Sequence, residues 1–197
     1  DINHYKKKDL NSWMFLRFQT ISLLDPKFYE NYFFGGQYLS IVKDDLLGAE
    51  YIYLKGVKNY PNDFWLSYYL GFNYLWEMGD SKKAKNVFLK LQHHPKTIKY
   101  FPSLPRIVAK LEASKGNLNL AYKMMLNSYQ NTPNNHFLKK QYAKNLYAIK
   151  AEIDLNCLNN IKSNCEIRDF LGQNYLKIKG RYRALNKWKK FKIKLKN

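Results

Sequence analysis

Apolar residues recur at helical spacing along most of this chain, and prolines or glycines interrupt the pattern at regular intervals. The segment 12–24 carries Trp13, Leu16, Phe18, Ile21 and Leu24, mostly about three positions apart. This spacing predicts an amphipathic helix that ends before Pro26, because proline disfavours helical geometry in the preceding residue. Pro26 is expected in the first turn of a second helix, with Asp25 as its cap. The same signals predict helices at about 26–42, 45–59, 64–78, 81–92, 104–115 and 118–131, and a long one from 135.

A pattern of turn residues, small residues and aromatics repeats along these predicted helices. Ala49 and Ala84 are 35 positions apart, and Ala84 and Ala121 are 37 apart. This period is typical of a unit of two helices and two turns. The repeating positions are Asp44, Ala49, Tyr53, Gly56 and Pro61 in the first copy, Gly79, Asp80, Ala84, Phe88 and Pro95 in the second, and Gly116, Asn117, Ala121, Met125 and Pro133 in the third.

The pattern resembles the tetratricopeptide repeat family, and the second copy matches that family best, through Leu70, Gly71, Tyr74, Gly79, Asp80, Ala84, Phe88 and Pro95. The resemblance covers about 26–134, in units at about 26–61, 62–95 and 103–134. It implies an all-α, right-handed α-solenoid with an N-terminal helix in 1–25, a closing helix in 135–165 and a basic appendage in 166–197. The entry to the first unit also looks like bacterial membrane-anchored repeat proteins.

Such an array implies a non-catalytic scaffold that holds a partner protein in a concave groove lined by first-helix side chains. A bacterial envelope-associated assembly is the expected setting, and membrane association is favoured over a cytoplasmic location. Because the chain begins at Asp1, we also expect a processed or truncated N-terminus. The candidate groove residues are Asn31, Gln37, Tyr38, Ser67, Asn73, Tyr74, Arg106 and Lys110.

The chain is strongly basic, with a formal charge of +19. Residues 170–197 contain ten Lys and Arg and no acidic residue. Apolar and basic residues alternate at 176–183 and 191–196, which favours a hairpin with one basic face. The same residues place Tyr182, Leu185, Trp188 and Leu195 on one side of a helix, which is the alternative. The predicted anion-binding residues are Lys177, Lys179, Arg181, Arg183, Lys187, Lys189, Lys190, Lys192 and Lys194.

Three interpretations of this cationic segment compete. In the first, its apolar side chains dock on the last helix and the lysines are merely solvated. In the second, the lysines bind anionic membrane lipid. In the third, the segment binds nucleic acid, with Tyr182 and Trp188 as stacking surfaces. Because Lys greatly outnumbers Arg, diffuse electrostatic attraction is favoured over bidentate reading of bases. A nucleic-acid-binding protein that uses this tail is the alternative to the scaffold.

Catalytic chemistry has little support in the sequence. His4, His93, His94 and His136 share no helical face with a second titratable residue in a recognised catalytic arrangement, and no phosphate loop or paired-carboxylate site is present. We therefore expect no enzyme activity, small-molecule substrate, cofactor or metal. Cys157 and Cys165 are interpreted first as free, buried thiols, with a disulfide as the alternative in an oxidising compartment.

Overall fold

The computed structural model describes residues 12–92, 94–160 and 164–193, so that His4, His93 and Lys194 lie outside the described residues. The chain is mostly helical, as predicted, with one small sheet. The described residues form two compact units, 12–102 and 103–193. The helices are α1 Trp13–Leu24, α2 Tyr29–Gln37, α3 Leu46–Asn59, α4 Phe64–Phe72, α5 Ser81–Leu91, α6 Thr97–Tyr100, α7 Leu104–Ser114, α8 Leu118–Gln130 and α9 Phe137–Asn159; the strands are β1 Leu176–Ile178 and β2 Arg181–Arg183.

Aspartates cap three of the six α-helices described in the first unit. Asp45 accepts a hydrogen bond from the Gly48 amide at 2.9 Å, and Asp63 accepts one from the Leu66 amide at 2.7 Å. Asp80 does the same at the start of α5. Each carboxylate satisfies an amide that has no partner inside its own helix.

The start of α2 differs from the prediction. The helix begins at Tyr29, three residues after Pro26, and its preceding residue Phe28 makes no side-chain cap. Asp25 instead accepts from the Lys27 amide at 2.9 Å, which closes a local turn around Pro26. The prediction that Asp25 caps a helix starting at Pro26 was therefore wrong, because the aspartate bonds to the turn before the helix.

The helices α2 and α4, each the first helix of a predicted repeat, end in the same way. α2 continues into a π-helical turn, Tyr38–Val42, and α4 into a second one, Asn73–Glu77. The Lys43 amide donates to the Tyr38 carbonyl at 3.1 Å and the Met78 amide to the Asn73 carbonyl at 2.9 Å. Asp44 and Gly79 then take positive φ angles of 55° and 68° at equivalent positions. The 35-residue period therefore extends to the backbone conformation.

Glycines allow the paired helices to approach closely. Gly36 on α2 faces the ring of Tyr53 on α3, and Gly71 on α4 faces the ring of Phe88 on α5; a Cβ atom at either glycine would overlap the ring. Both rings are almost fully buried. A side chain at the glycine would therefore force the helices apart.

The second unit is built from α7, α8 and α9, which pack in sequence order. Its buried core includes Ala109, Ala121, Met125 and Leu146, and it also contains Phe191 from the basic tail. Cys157 near the end of α9 forms a disulfide with Cys165. The first interpretation, two free thiols, was wrong: the two Cα atoms lie 5.7 Å apart, within bridging range.

The basic tail forms a hairpin, but not one with a single basic face. Lys179 and Gly180 both have positive φ in the two-residue turn, as a type I′ turn requires. The register pairs Leu176 with Arg183 and Ile178 with Arg181. Directly opposite residues share a face, so apolar and cationic side chains mix. The helical alternative is wrong for the described residues 164–193, where the structure has no helix.

We expect Gly71→Ala to lower the free energy of unfolding. The added methyl group overpacks the crossing against Phe88 at a cost of about 1–3 kcal/mol, which exceeds the gain of about 1 kcal/mol from helix propensity. Urea denaturation measures the difference. Asn86→Ala on the exposed side of α5 is the control, expected to stay within about 0.5 kcal/mol of the wild type. A more stable Gly71→Ala protein would contradict the close crossing.

The disulfide closes a loop with a sequence separation of 8, which predicts a stabilisation of about 2–3 kcal/mol. Alkylation of the denatured, unreduced protein followed by mass spectrometry should find no free thiol. Dithiothreitol should lower the melting temperature of the wild type and leave that of a Cys157→Ser, Cys165→Ser double variant unchanged. Labelling of both thiols without reductant would contradict the bond.

Candidate functional site

Three of the predicted groove residues are buried and hold the first unit together. The Asn31 amide donates to the Phe18 carbonyl at 3.0 Å. The Asn73 side chain accepts from Ser40 at 2.8 Å and donates to the Leu46 carbonyl at 3.2 Å. Tyr74 donates to Glu50 at 2.9 Å, and burial together with this bond raises the pKa of the Tyr74 hydroxyl. Their side chains therefore lie inside the unit, where the Asn31 Oδ1 atom has no partner among the described residues, and their role as partner contacts stays a prediction.

The other predicted groove residues are partly exposed. Gln37 donates back to the Phe33 carbonyl of its own helix at 3.2 Å, and the ring of Tyr38 meets that of Phe18 at 6.2 Å. Ser67 lines a recess of about 580 Å³ beside α3 and α5. Arg106 and Lys110 belong to the second unit, so the structure does not bring the eight residues together within one unit.

The first-helix surface of the first unit is aromatic rather than polar. Rings of α2, of α4 and of the π-helical turn that follows α4 touch in a continuous series, which we call the aromatic strip. Phe33 contacts Phe34 at 5.0 Å and Tyr69 at 5.5 Å, and Phe72 contacts Trp76 at 4.8 Å. Tyr68 joins the two parts, at 5.1 Å from Tyr69 and 6.3 Å from Phe72. The strip consists of Phe33, Phe34, Tyr68, Tyr69, Phe72 and Trp76.

Both ends of the aromatic strip are open to solvent. Phe34 is 61% exposed and Trp76 is 42% exposed, although the residues between them are partly buried. The groove residues predicted from the sequence were mostly polar, with Tyr38 and Tyr74 as the aromatic ones, and they included no ring of the strip. The number of aromatic residues could have indicated the strip. The first helix of each of the first two repeats carries more rings than one buried face can hold, so some of them must lie at the surface.

The basic tail is an integral part of the second unit. Phe191 is 3% exposed and packs in the core. Asn159 at the end of α9 bonds to both backbone groups of Tyr182, at 2.8 and 3.0 Å. Tyr175 donates to Asp154 at 2.8 Å, and burial and this carboxylate raise the pKa of Tyr175. These contacts fix the path of the tail along α9.

The tail keeps its charges on the surface. All the predicted anion-binding residues that are described, namely Lys177, Lys179, Arg181, Arg183, Lys187, Lys189, Lys190 and Lys192, are exposed. None of them forms an ion pair with another described residue. The docking of apolar tail residues on the last helix is thus observed, and it leaves the charges free to meet an anion.

A cleft of about 850 Å³ lies between α9 and the tail, with α7 contributing one residue. We call it the cationic cleft. No carboxylate is among the described residues that line it. Six of its lining residues are cationic, Lys110, Lys144, Arg183, Lys187, Lys189 and Lys190, and the aromatic ones are Tyr147, Tyr182, Trp188 and Phe191. The sequence analysis named the cationic tail residues as anion-binding, placed Lys110 in the partner groove instead, and did not name Lys144 or Tyr147, since only the packing of the tail on α9 brings them to the same place.

Other chemistry is not apparent in the described part of the chain. There, no group of three or more His, Cys, Asp or Glu side chains could hold a metal ion, and no helix has the length and apolar character that crossing a bilayer requires. Comparison with protein-family models, curated proteins and solved structures finds no match to this chain. Function has to be inferred from the aromatic strip and the cationic cleft.

We expect Phe191→Ala to lower the free energy of unfolding of the protein by about 3–5 kcal/mol, because it empties a core position in the second unit. Denaturation followed by circular dichroism measures the change. Lys192→Ala, one residue further along the same tail and exposed, should change stability by less than about 0.5 kcal/mol. Equal stability of both variants and the wild type would contradict the docking of the tail.

Proposed function

We propose that this protein is a non-catalytic scaffold that binds a partner polypeptide on the aromatic strip of its first unit. The observation that carries the proposal is the strip itself, a series of touching rings on α2, α4 and the π-helical turn after α4 that is exposed at Phe34 and Trp76. Large exposed aromatic patches on soluble domains mark interaction sites. Tyr and Trp side chains supply much of the binding energy at protein interfaces.

The strip has properties of a preformed site. Phe33 and Tyr69 meet edge to face at 5.5 Å, and the helices beneath them are held by the crossings at Gly36 and Gly71. Rings that are already packed lose little conformational entropy when a partner covers them. The partner expected here is a peptide segment or a helix with large apolar side chains, which a row of rings accepts better than a charged segment.

A tetratricopeptide-like, right-handed array is part of this proposal. It is supported by the repetition, after 35 positions, of the π-helical turn, of the positive φ angle and of the glycine-to-ring crossing in the first unit. In such arrays the first helices line the binding surface, which is where the strip lies. A location in the bacterial envelope remains part of the proposal, and the disulfide is compatible with it because such bonds persist in oxidising compartments.

The test uses selected peptides as the probe. Random peptides displayed on phage are selected against the intact protein, and the selected peptides are titrated by calorimetry. A Phe34→Ala, Trp76→Ala double variant should bind them at least about 30-fold more weakly, because hot-spot aromatics each contribute about 2 kcal/mol. The selected peptides should be rich in large apolar residues.

The matched control removes the same two residue types elsewhere. Trp13 is 55% exposed and Phe137 is 72% exposed, and neither belongs to the strip. A Trp13→Ala, Phe137→Ala double variant should bind the peptides within about 2-fold of the wild type, as surface substitutions outside the site do. Equal loss in both double variants, or selected peptides that ignore the strip, would overturn the proposal.

A further inference from the structure

The cationic cleft of the second unit has an excess of charge that its own acidic residues do not neutralise. Residues 103–194 contain 19 Lys and Arg but only five Asp and Glu. Asp154 is bound by Lys150 at 2.9 Å and by Tyr175. Glu152 accepts from the Phe191 amide at 3.2 Å, and Asp169 accepts from the amides of its own turn. These carboxylates are therefore committed to holding the tail, and the cleft is left strongly positive.

Two cations crowd together where α7 reaches the cleft. Arg106 and Lys110 are one helical turn apart, and burial together with the Arg106 charge lowers the pKa of the Lys110 ammonium. The Nε of Arg106 is buried and donates to no acceptor in the described chain. Like charges held close without a counter-ion repel each other, and a bound anion relieves that repulsion.

The wall formed by α9 carries an unused donor. The Nδ2 atom of Asn145, a lining residue of the cleft, is buried and has no hydrogen-bond partner among the described residues. Buried amide donors almost always have a partner. An oxygen acceptor of a ligand in the cleft would satisfy it.

Aromatic faces are available beside these charges. Trp188 is partly exposed and makes no ring contact with another described residue. Tyr182 is also partly exposed, and the Lys177 ammonium lies 5.5 Å from its ring centroid. Bases of a single strand stack on such rings regardless of sequence. A base offers these rings a planar π face, which a phosphatidylglycerol headgroup or inorganic polyphosphate lacks.

The cleft is preformed on both sides. The Tyr147 hydroxyl accepts from the Asn186 amide at 3.1 Å, and the Ile193 amide donates to Ser114 of α7 at 3.1 Å. With Phe191 in the core and Asn159 on Tyr182, the tail is anchored on either side of its lysines. A ligand would meet positioned charges, which reduces the entropic cost of binding.

We propose that the cationic cleft binds single-stranded nucleic acid, with Lys187, Lys189 and Lys190 on the phosphates and Trp188 stacked on a base. A flat membrane surface cannot enter a recess, and a duplex hides the base faces that Trp188 would contact. Lysine, a point charge without the planar fork of arginine, suits sequence-independent contact with phosphates. This inference concerns the second unit and does not depend on the aromatic strip.

The experiment is fluorescence anisotropy of the full chain with labelled oligothymidylate and oligouridylate of about 12 nucleotides, within the usual range of single-strand sites. Binding should weaken steeply with salt. The triple variant Lys187→Gln, Lys189→Gln, Lys190→Gln should bind on the order of 30-fold more weakly near 0.1 M salt and reduce the slope of log K against log salt by about 2. Trp188→Ala should bind about 10-fold more weakly, and Trp188→Phe should retain most of the affinity.

The matched control neutralises three exposed lysines of the first unit, Lys58, Lys82 and Lys96, and changes net charge by the same amount. It should bind the oligonucleotides within about 3-fold of the wild type. Equal losses in both triple variants, or an unchanged affinity in Trp188→Ala, would overturn the site and leave only diffuse attraction. Binding to phosphatidylglycerol vesicles or to inorganic polyphosphate at least as tight as to the oligonucleotides would also overturn it, in favour of a lipid or a ring-free polyanion.

Discussion

The close crossing of paired helices, made possible by a glycine beneath an aromatic ring, is the contact on which the first unit depends. Gly36 accepts the ring of Tyr53 and Gly71 that of Phe88. Because each ring fills the space that a side chain would take, the two helices of a pair approach closely and bury both backbones. Rings of α2, of α4 and of the π-helical turn after α4 that do not fill these crossings form the aromatic strip.

A second constraint acts in the other unit, where a strongly charged segment is held by a few anchoring contacts. Phe191 packs in the core, and side chains of α9 form hydrogen bonds with backbone groups of the tail. The lysines between these anchors have no described acidic partner and stay in solvent. Burying apolar residues stabilises the tail by more than the repulsion among its exposed charges costs, since water screens charges at the surface. A cationic cleft can therefore exist without an internal counter-ion.

Several elements could be read from local patterns. Asp63 before Phe64, Gly79 before Asp80 and Gly116 before Asn117 mark helix boundaries through short-range hydrogen bonds and backbone torsion, and the structure has helices that begin or end there. The pattern at Asp25 and Pro26 was misleading, because an aspartate can cap a turn as well as a helix. The burial of Asn31, Asn73 and Tyr74 could not be read in this way, because polarity does not reveal whether a side chain has a partner inside the protein.

The sequence by itself determined the helical class, the 35-residue recurrence in the first unit and the large positive charge of the tail, since each follows from neighbouring residues or from composition. Only the tertiary structure decided that Cys157 meets Cys165, that Phe191 belongs to the core and that Lys110, Lys144 and Trp188 share one cleft. Each of these contacts is between residues that lie on separate elements. Their proximity depends on how the elements pack, and no local periodicity encodes that.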